Sequence, residues 1–191
     1  MDIFTAIYFV AIVAEMVIRA PINQKRKQEK VAESRYDTQE KVLLLLLSIG
    51  MFFVPIIYAA TDWLDFANYS LPIWARWLGV LLIGLALFVF WRAHADLGLN
   101  WSPTLEIREH HALVTQGIYG VIRHAMYASQ WLWVIAQPLL LPNWIAGFLN
   151  LLVFVPFYFL RVREEEKLML EQFGEQYRSY MQKVGGVLPR L

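Results

Sequence analysis

The sequence contains no cysteine, which excludes disulfide bonds, thiolate nucleophiles and cysteine-ligated zinc or iron–sulfur centres. Charged residues are also scarce, at 17% of the 191 residues, whereas a soluble domain typically carries about 25%. The formal net charge of +1 leaves no broad basic surface for nucleic acid. Because hydrophobic residues reach 58% and aromatic residues 15%, the composition excludes a soluble globular domain and a disordered chain.

Five apolar stretches carry most of this hydrophobicity, and each predicts a membrane-spanning helix. A perpendicular span needs roughly 20 residues, so the second and third stretches are long enough and the other three are slightly short. After the fifth stretch, apolar residues recur near helical spacing, which predicts an amphipathic helix on the cytoplasmic side. We therefore predict an all-α integral membrane protein with five transmembrane helices and a cytoplasmic C-terminal amphipathic helix. The five stretches are Ile3–Ile18, Val42–Ala60, Leu71–Trp91, Met126–Leu141 and Trp144–Leu160.

The distribution of positive charge predicts the orientation of these helices. Lys and Arg concentrate between Arg19 and Lys41 and again from Arg161 onward, whereas the connection 61–70 contains neither. Because cytoplasmic loops carry the excess of Lys and Arg, we predict an external N-terminus and a cytoplasmic C-terminus. The small size and the lack of a targeting segment favour a prokaryotic cytoplasmic membrane.

The polar residues that could carry chemistry concentrate in two segments, 100–127 and 161–180. In the first, an Arg-His pair stands where the fourth helix enters the membrane, and a helix N-terminus attracts anions. In the second, Arg161 and Glu165 are four residues apart and therefore share one helix face. For each segment, an ordinary topological role at the membrane boundary is the alternative to a binding site.

Histidines are too few and too scattered to predict a metal centre. The four histidines show no repeated, closely spaced boxes, and the adjacent pair His110 and His111 would point apart on a helix or a strand. We therefore predict that the protein binds no metal.

Five short motifs lie in the second half of the chain. They are Leu113-Val114-Thr115-Gln116-Gly117-Ile118-Tyr119, Arg123-His124-Ala125-Met126-Tyr127, Arg161 with Glu164-Glu165-Glu166, Phe173-Gly174-Glu175-Gln176-Tyr177, and Leu188-Pro189. Together they resemble the isoprenylcysteine carboxyl methyltransferase family, within the wider group of membrane and phospholipid methyltransferases. The resemblance covers about Leu97–Leu191, and it is the combination of motifs that is specific.

The resemblance implies a multi-span membrane enzyme that uses S-adenosyl-L-methionine from the cytoplasmic side. Its reaction would transfer a methyl group to the carboxylate of a lipidated or lipophilic, isoprenylcysteine-like acceptor. The implied organisation is one domain over residues 1–191, with an N-terminal three-helix part (1–96) and a cofactor-binding core with a helical hairpin and tail (97–191). The implied partners are the acceptor and membrane lipids, with neither nucleic acid nor metal.

The resemblance also implies roles for individual residues. Arg161 would face the substrate as its catalytic and substrate-binding residue, and Glu165 would bind the cofactor. In one departure, the family has a proline where this chain has Ala125; proline would fix the helix start, which alanine permits without enforcing. The other implied cofactor-binding positions are Thr104, His111, Ala112, Leu113, Val114, Tyr119, His124, Ala125, Met126 and Tyr127.

Three other functions stay open at this point. A phospholipid or amine N-methyltransferase of the same fold would need a base to deprotonate its acceptor, for which Glu165 and His124 are candidates. A non-catalytic membrane scaffold would bind no cofactor, and a reductase of the steroid type would bind a nicotinamide. Every methyltransferase hypothesis requires that the segment before the fourth helix meets the Arg161 and Glu165 face on the inner side of the bilayer.

Overall fold

A computed structural model describes residues 1–26, 31–34, 38–98, 106–108 and 112–190 of the chain. Within these residues the fold is a bundle of helices with one very small sheet, which agrees with the predicted helical membrane protein. The elements are α1 (Ile3–Arg26), β1 (Val31–Ser34), α2 (Thr38–Ser48), α3 (Val54–Ala60), α4 (Ile73–Leu97), β2 (Glu106–Arg108), α5 (Ala125–Leu140) and α6 (Trp144–Lys183).

Among the described residues, four helical segments are long and apolar enough to cross a membrane, one fewer than the five predicted. They are Ile3–Pro21, Lys41–Ala60, Ile73–Leu97 and Trp144–Lys183. The predicted fourth span corresponds to α5, which is displaced by one residue at each end and has only 16 residues. Since a perpendicular crossing needs roughly 20 residues, the length of α5 does not by itself support a fifth span.

The second span is a continuous helical segment with an irregular centre. α2 passes into a π-helical turn at Ile49–Phe53, and α3 continues from it. A Cβ atom on Gly50 in this turn would lie 3.0 Å from the backbone of Asn150 in α6. Glycine at this position therefore permits the close approach of the second span to α6.

α6 is much longer than the apolar stretch predicted from the sequence, which ends at Leu160. Asn143 caps its start, accepting hydrogen bonds from the backbone N–H groups of Ile145 and Ala146. The helix then continues through Arg161 to Gly174, whose φ of 51° and ψ of −126° kink it. Its 40 residues correspond to about 60 Å. The segment after Arg161, for which the sequence predicts an amphipathic helix, is therefore helical and continuous with α6.

Small residues and one polar cluster hold the bundle together. Ala86 and Ala136 are almost completely buried on α4 and α5, and a Cβ on Gly79 would lie 2.8 Å from Leu139. The side chain of Gln137 donates to the carbonyls of Gly50 (2.9 Å) and Ala146 (2.7 Å) and accepts from Asn150 (2.9 Å). Such bonds connect helices in an apolar environment that offers few other partners.

The outer surface of the helices is apolar, as a lipid-facing surface is. Val10, Leu81, Phe88 and Leu152 each expose more than half of their side-chain surface, and they lie on three different helices. An exposed apolar belt of this extent is typical of an integral membrane protein.

Within the described ranges, the two short strands are the one departure from an all-α fold. β1 and β2 pair antiparallel, with Glu33 opposite Ile107 and Ser34 opposite Glu106. They join the connection after α1 to the connection after α4, so both connections lie at the same end of the bundle.

Candidate functional site

The two polar segments identified in the sequence meet where α5 begins and α6 leaves its apolar part. Nη2 of Arg123 donates to Oε1 of Glu166 over 2.9 Å, and Nε2 of His124 lies 2.9 Å from the same oxygen. The Tyr127 hydroxyl donates to Oε2 of Glu165 over 2.7 Å. These bonds join residues that are 38 to 43 positions apart, so the predicted convergence of the two segments is confirmed.

Arg161 is buried at the end of the apolar part of α6. Its Nε donates to the hydroxyl of Tyr127 over 2.9 Å, and its guanidinium lies 5.5 Å from the ring centroid of Phe157. The Tyr127 hydroxyl therefore bridges Arg161 and Glu165, because it accepts from the guanidinium and donates to the carboxylate. This arrangement places a fixed cation and a fixed anion side by side at the membrane boundary, where they can orient a polar group of a ligand.

His124 is the residue immediately before α5, and only 4% of it is exposed. Its Nδ1 is buried and makes no hydrogen bond with any residue that the structure describes, although Oε1 of Glu165 lies 3.8 Å away. The buried hydroxyl of Tyr119 also has no hydrogen-bond partner within the described ranges. Since buried polar atoms are normally hydrogen-bonded, these two atoms indicate a place where a ligand completes the site.

The chain after α6 folds back over the start of α5. The backbone N–H groups of Arg123 and His124 donate to the carbonyls of Gly185 (2.8 Å) and Gly186 (3.1 Å). The Arg123 guanidinium also donates to the carbonyl of Val184. The tail therefore satisfies donors at the start of α5 and holds both side chains in position beside Glu166.

An open cleft of about 500 Å³ lies between the end of α4 and the segment before α5, lined by Ala95, Asp96 and residues 113–117. Oδ2 of Asp96 accepts from the backbone N–H of Ile118 over 2.8 Å, and Arg92 donates to both carboxylate oxygens. Gly117 has a φ of 62°, and a Cβ there would lie 2.3 Å from Oδ2 of Asp96. Glycine therefore gives the Asp96 carboxylate room to cap the turn that carries Tyr119.

The sequence-predicted residues fall into four groups. Those in or beside the buried polar cluster are Tyr119, His124, Tyr127, Arg161 and Glu165. Leu113 and Val114 line the cleft, and Ala112 is exposed just before them. Ala125 is completely buried in an apolar cluster with Ala93 and Ile122, against which Met126 packs, so these two side chains do not line the cleft. Thr104 and His111 lie outside the described residues.

Three polar residues of the site had no role assigned from the sequence: Asp96, Arg123 and Glu166. Adjacent residues on a helix point about 100° apart, so Glu165 and Glu166 could be expected to have different partners. The only local sign of a structural role for Asp96 was Arg92, which lies four residues earlier on the same helix and can therefore pair with it. Its bond to Ile118 depends on the packing of the segment before α5 and could not be found from spacing.

Two pKa shifts describe the charge state of the site. The hydrogen bond from His124, with Arg123 beside it, holds the pKa of the Glu166 carboxyl below its ordinary value despite burial. This residue lies beyond the apolar part of α6, and at neutral pH it is a carboxylate. Burial raises the pKa of the Tyr119 hydroxyl far above its usual range, and Glu165 adds to that rise. Tyr119 therefore stays neutral and can donate a hydrogen bond.

No group of three or more metal-ligating side chains occurs among the residues that the structure describes. Among the described residues, the polar cluster is instead made of cations, carboxylates and tyrosines, and three of its buried atoms have no hydrogen-bond partner: the Tyr119 hydroxyl, Nε of Arg123 and Nδ1 of His124. Such a set suits an organic ligand with its own donors and acceptors.

Comparison with known proteins identifies relatives over the region that contains this cluster. The model of the isoprenylcysteine carboxyl methyltransferase family matches residues 77–171. The protein-S-isoprenylcysteine O-methyltransferase of Homo sapiens is 31% identical over 145 residues, which are 70% of this chain and 50% of that protein. Protein-S-isoprenylcysteine O-methyltransferase B of Arabidopsis thaliana is 28% identical over 149 residues, covering 77% of this chain and 72% of that protein.

A solved structure shares the fold. The eukaryotic intramembrane Ras methyltransferase, an isoprenylcysteine carboxyl methyltransferase, superposes with a TM-score of 0.53 and 25% identity. The match covers 81% of this chain and 53% of that one, so this chain spans about half the length of both the solved structure and the human relative. The family model, the curated relatives and the solved fold agree, and this chain belongs to the isoprenylcysteine carboxyl methyltransferase family.

Proposed function

We propose that this protein transfers a methyl group from S-adenosyl-L-methionine to the carboxylate of a lipidated or lipophilic, isoprenylcysteine-like acceptor at the membrane–cytoplasm interface. The observation that carries the proposal is the Arg161–Tyr127–Glu165 bridge, buried at the end of the apolar part of α6. In the proposed arrangement the guanidinium would lie next to the lipid and could bind an anion, and the carboxylate would lie on the aqueous side. This arrangement suits the two ligands, because the acceptor would enter from the lipid and the cofactor from the aqueous side.

The residues present suit the cofactor. Nδ1 of His124 and the Tyr119 hydroxyl are buried polar atoms without a hydrogen-bond partner in the part of the chain that the structure describes, and Glu165 lies within 4 Å of Nδ1. Leu113 and Val114 offer apolar surface in the adjoining cleft. When bound, S-adenosyl-L-methionine supplies an electrophilic methyl group on a sulfonium. The residues proposed to hold it are Thr104, His111, Ala112, Leu113, Val114, Tyr119, His124, Ala125, Met126, Tyr127 and Glu165.

The acceptor carboxylate needs orientation rather than activation. A terminal carboxyl group has a pKa of about 3.5 and is already an anion at neutral pH, so no general base is required. Arg161 would bind this anion through its planar guanidinium, whose position Tyr127 and the Phe157 ring define. Alignment of the reactants and exclusion of water would then supply the rate enhancement.

The membrane arrangement is part of the same proposal. We propose that α5 is the fourth of five transmembrane helices, with its short length accommodated by flanking residues or by local thinning of the bilayer. The N-terminus would lie outside, and the extension of α6 would lie in the cytoplasm, amphipathic and docked on the start of α5. A prokaryotic cytoplasmic membrane is the proposed location. We also propose one domain over 1–191, with an N-terminal three-helix part at 1–96 and a cofactor-binding core with a helical hairpin and tail at 97–191.

Phospholipid or amine N-methylation is the second candidate. Its support is the buried Nδ1 of His124, which makes no hydrogen bond with a described residue and lies 3.8 Å from Oε1 of Glu165, because this pair could accept a proton from an ammonium acceptor. The pH–rate profile of transfer distinguishes the two. Carboxylate methylation should be independent of pH above about 5, whereas amine methylation should rise as the amine loses its proton.

Isothermal titration of the detergent-solubilised chain with S-adenosylhomocysteine tests the proposal directly. We expect saturable binding, and methyl transfer to a farnesylated cysteine in a coupled assay. Arg161→Ala should keep cofactor binding and lose transfer, whereas Glu165→Ala should weaken cofactor binding. Absence of binding at millimolar ligand, or unchanged turnover in both variants, would contradict the proposal.

A further inference from the structure

Glu166 contacts His124 directly, although no role was assigned to it from sequence. Its Oε1 lies 2.9 Å from Nε2 of His124 and accepts a 2.9 Å hydrogen bond from Arg123. Arg123 is itself held by the carbonyl of Val184 in the returning tail. The carboxylate is therefore fixed between a guanidinium and an imidazole.

When the His124 ring is neutral, this contact determines which of its two nitrogens carries the hydrogen. A carboxylate can only accept, so Nε2 must donate to Glu166, and Nδ1 then presents a lone pair. Nδ1 is buried and makes no hydrogen bond with a described residue. Oε1 of Glu165, also an acceptor, lies 3.8 Å from it. Two acceptor atoms thus lie side by side, at a spacing that one group with two donor hydrogens can bridge.

We infer that Glu166, supported by Arg123, is a positioning residue that holds His124 in the Nε2–H tautomer. Nδ1 of His124 and Oε1 of Glu165 then form a two-acceptor subsite. This inference rests on the proposed function. S-adenosyl-L-methionine carries two groups with paired donors, its primary ammonium and its ribose diol, and the subsite binds one of them.

Calorimetric titration of the full-length chain in detergent, with three ligands, tests this role. The ligands are S-adenosylhomocysteine, 5′-methylthioadenosine, which lacks the ammonium, and the 2′-deoxy analogue of S-adenosylhomocysteine, which lacks the diol. The test variant is Glu166→Gln, because a glutamine can donate to Nε2 and release the tautomer. The matched control is Glu164→Gln, an exposed neighbour on the same helix.

We expect Glu166→Gln to weaken S-adenosylhomocysteine binding about tenfold, as the loss of one charge-assisted hydrogen bond does, with Glu164→Gln unchanged. One of the two analogues lacks the group that binds to Nδ1 of His124. Its affinity should be nearly the same for Glu166→Gln as for the unaltered chain, and this result would identify the missing group as the one that the subsite binds. An equal weakening of all three ligands would overturn the inference while leaving the proposed function intact. Failure of the unaltered chain to bind any of the three would overturn both.

A second variant, His124→Asn, distinguishes an effect of Glu166 on the imidazole from a general effect of Glu166→Gln on folding. His124→Asn retains an acceptor near the Nδ1 position and cannot reach Glu166. In that background Glu166→Gln should change affinity by about a factor of two or less, because Glu166 acts only through the imidazole. The same tenfold weakening with and without the imidazole would show that Glu166 supports the fold rather than the tautomer.

Discussion

Removal of one hydroxyl, by Tyr127→Phe, should separate Arg161 from Glu165 without altering the shape of the site. The Tyr127 ring contacts the rings of His124 (5.8 Å between centroids) and Tyr158 (5.7 Å), and phenylalanine preserves both contacts. The hydroxyl makes two bonds, one from Nε of Arg161 and one to Oε2 of Glu165. The substitution therefore removes the bridge and little else.

Loss of the Arg161 bond should have a larger energetic effect than loss of the Glu165 bond. The Glu165 side chain is 35% exposed, so water can replace the lost donor. Arg161 is only 8% exposed, so its lost bond is not replaced in the same way. A hydrogen bond to a charged group contributes about 1.5–3 kcal/mol, and we expect about 2 kcal/mol from the Arg161 bond. This corresponds to about a 30-fold loss in kcat/KM if Arg161 orients the acceptor.

The assay is transfer of a labelled methyl group to a farnesylated cysteine, with thermal unfolding in detergent as the measure of folding. Tyr158→Phe is the matched control, because Tyr158 packs against Tyr127 but takes no part in the bridge. We expect its kcat/KM to stay near that of the unaltered chain. A folded Tyr127→Phe protein with undiminished kcat/KM would refute the reasoning.

Three further predictions concern the support of the site and the bundle. Gly117→Ala should destabilise the protein by clearly more than Gly174→Ala. Both glycines have a positive φ, but only at Gly117 would the added Cβ clash with a neighbour, the Asp96 carboxylate. Thermal unfolding of the two variants measures the difference. Asp96→Ala should lower the free energy of unfolding by about 1–3 kcal/mol through loss of the Ile118 cap, and Asp96→Asn by less, because it keeps an acceptor. Gln137→Leu removes three inter-segment bonds, which at about 0.6 kcal/mol each predicts a loss near 2 kcal/mol in detergent-induced unfolding.

Hydropathy predicted the helical spans well because it is a local property. The stretches Ile3–Ile18 and Val42–Ala60 each begin and end within three residues of a span in the structure, whereas Leu71–Trp91 begins two residues before its span and ends six residues short of it. The predicted stretch Trp144–Leu160 covers only the first part of α6, since a change from apolar to charged residues marks the end of a bilayer and not the end of a helix. No proline or glycine interrupts the chain between Arg161 and Gly174, so the helix continues.

Motif spacing predicted that Arg161 and Glu165 share a helix face, and the resemblance to a family pointed to His124 and Tyr127. Neither could predict which carboxylate faces which partner. Glu165 and Glu166 are adjacent and chemically identical in the sequence, yet one bonds Tyr127 and the other lies between Arg123 and His124. That distinction depends on the rotation of α6 about its axis against α5.

The sequence by itself determined the membrane environment, the approximate spans and the two polar segments, because composition and periodicity act through the solvent and through neighbours along the chain. Tertiary structure decided the pairing of those segments, the cap that Asp96 provides to Ile118 and the unpartnered nitrogen of His124. Each of these depends on contacts between residues at least 22 positions apart or on burial by them, and such contacts are defined only when the helices pack.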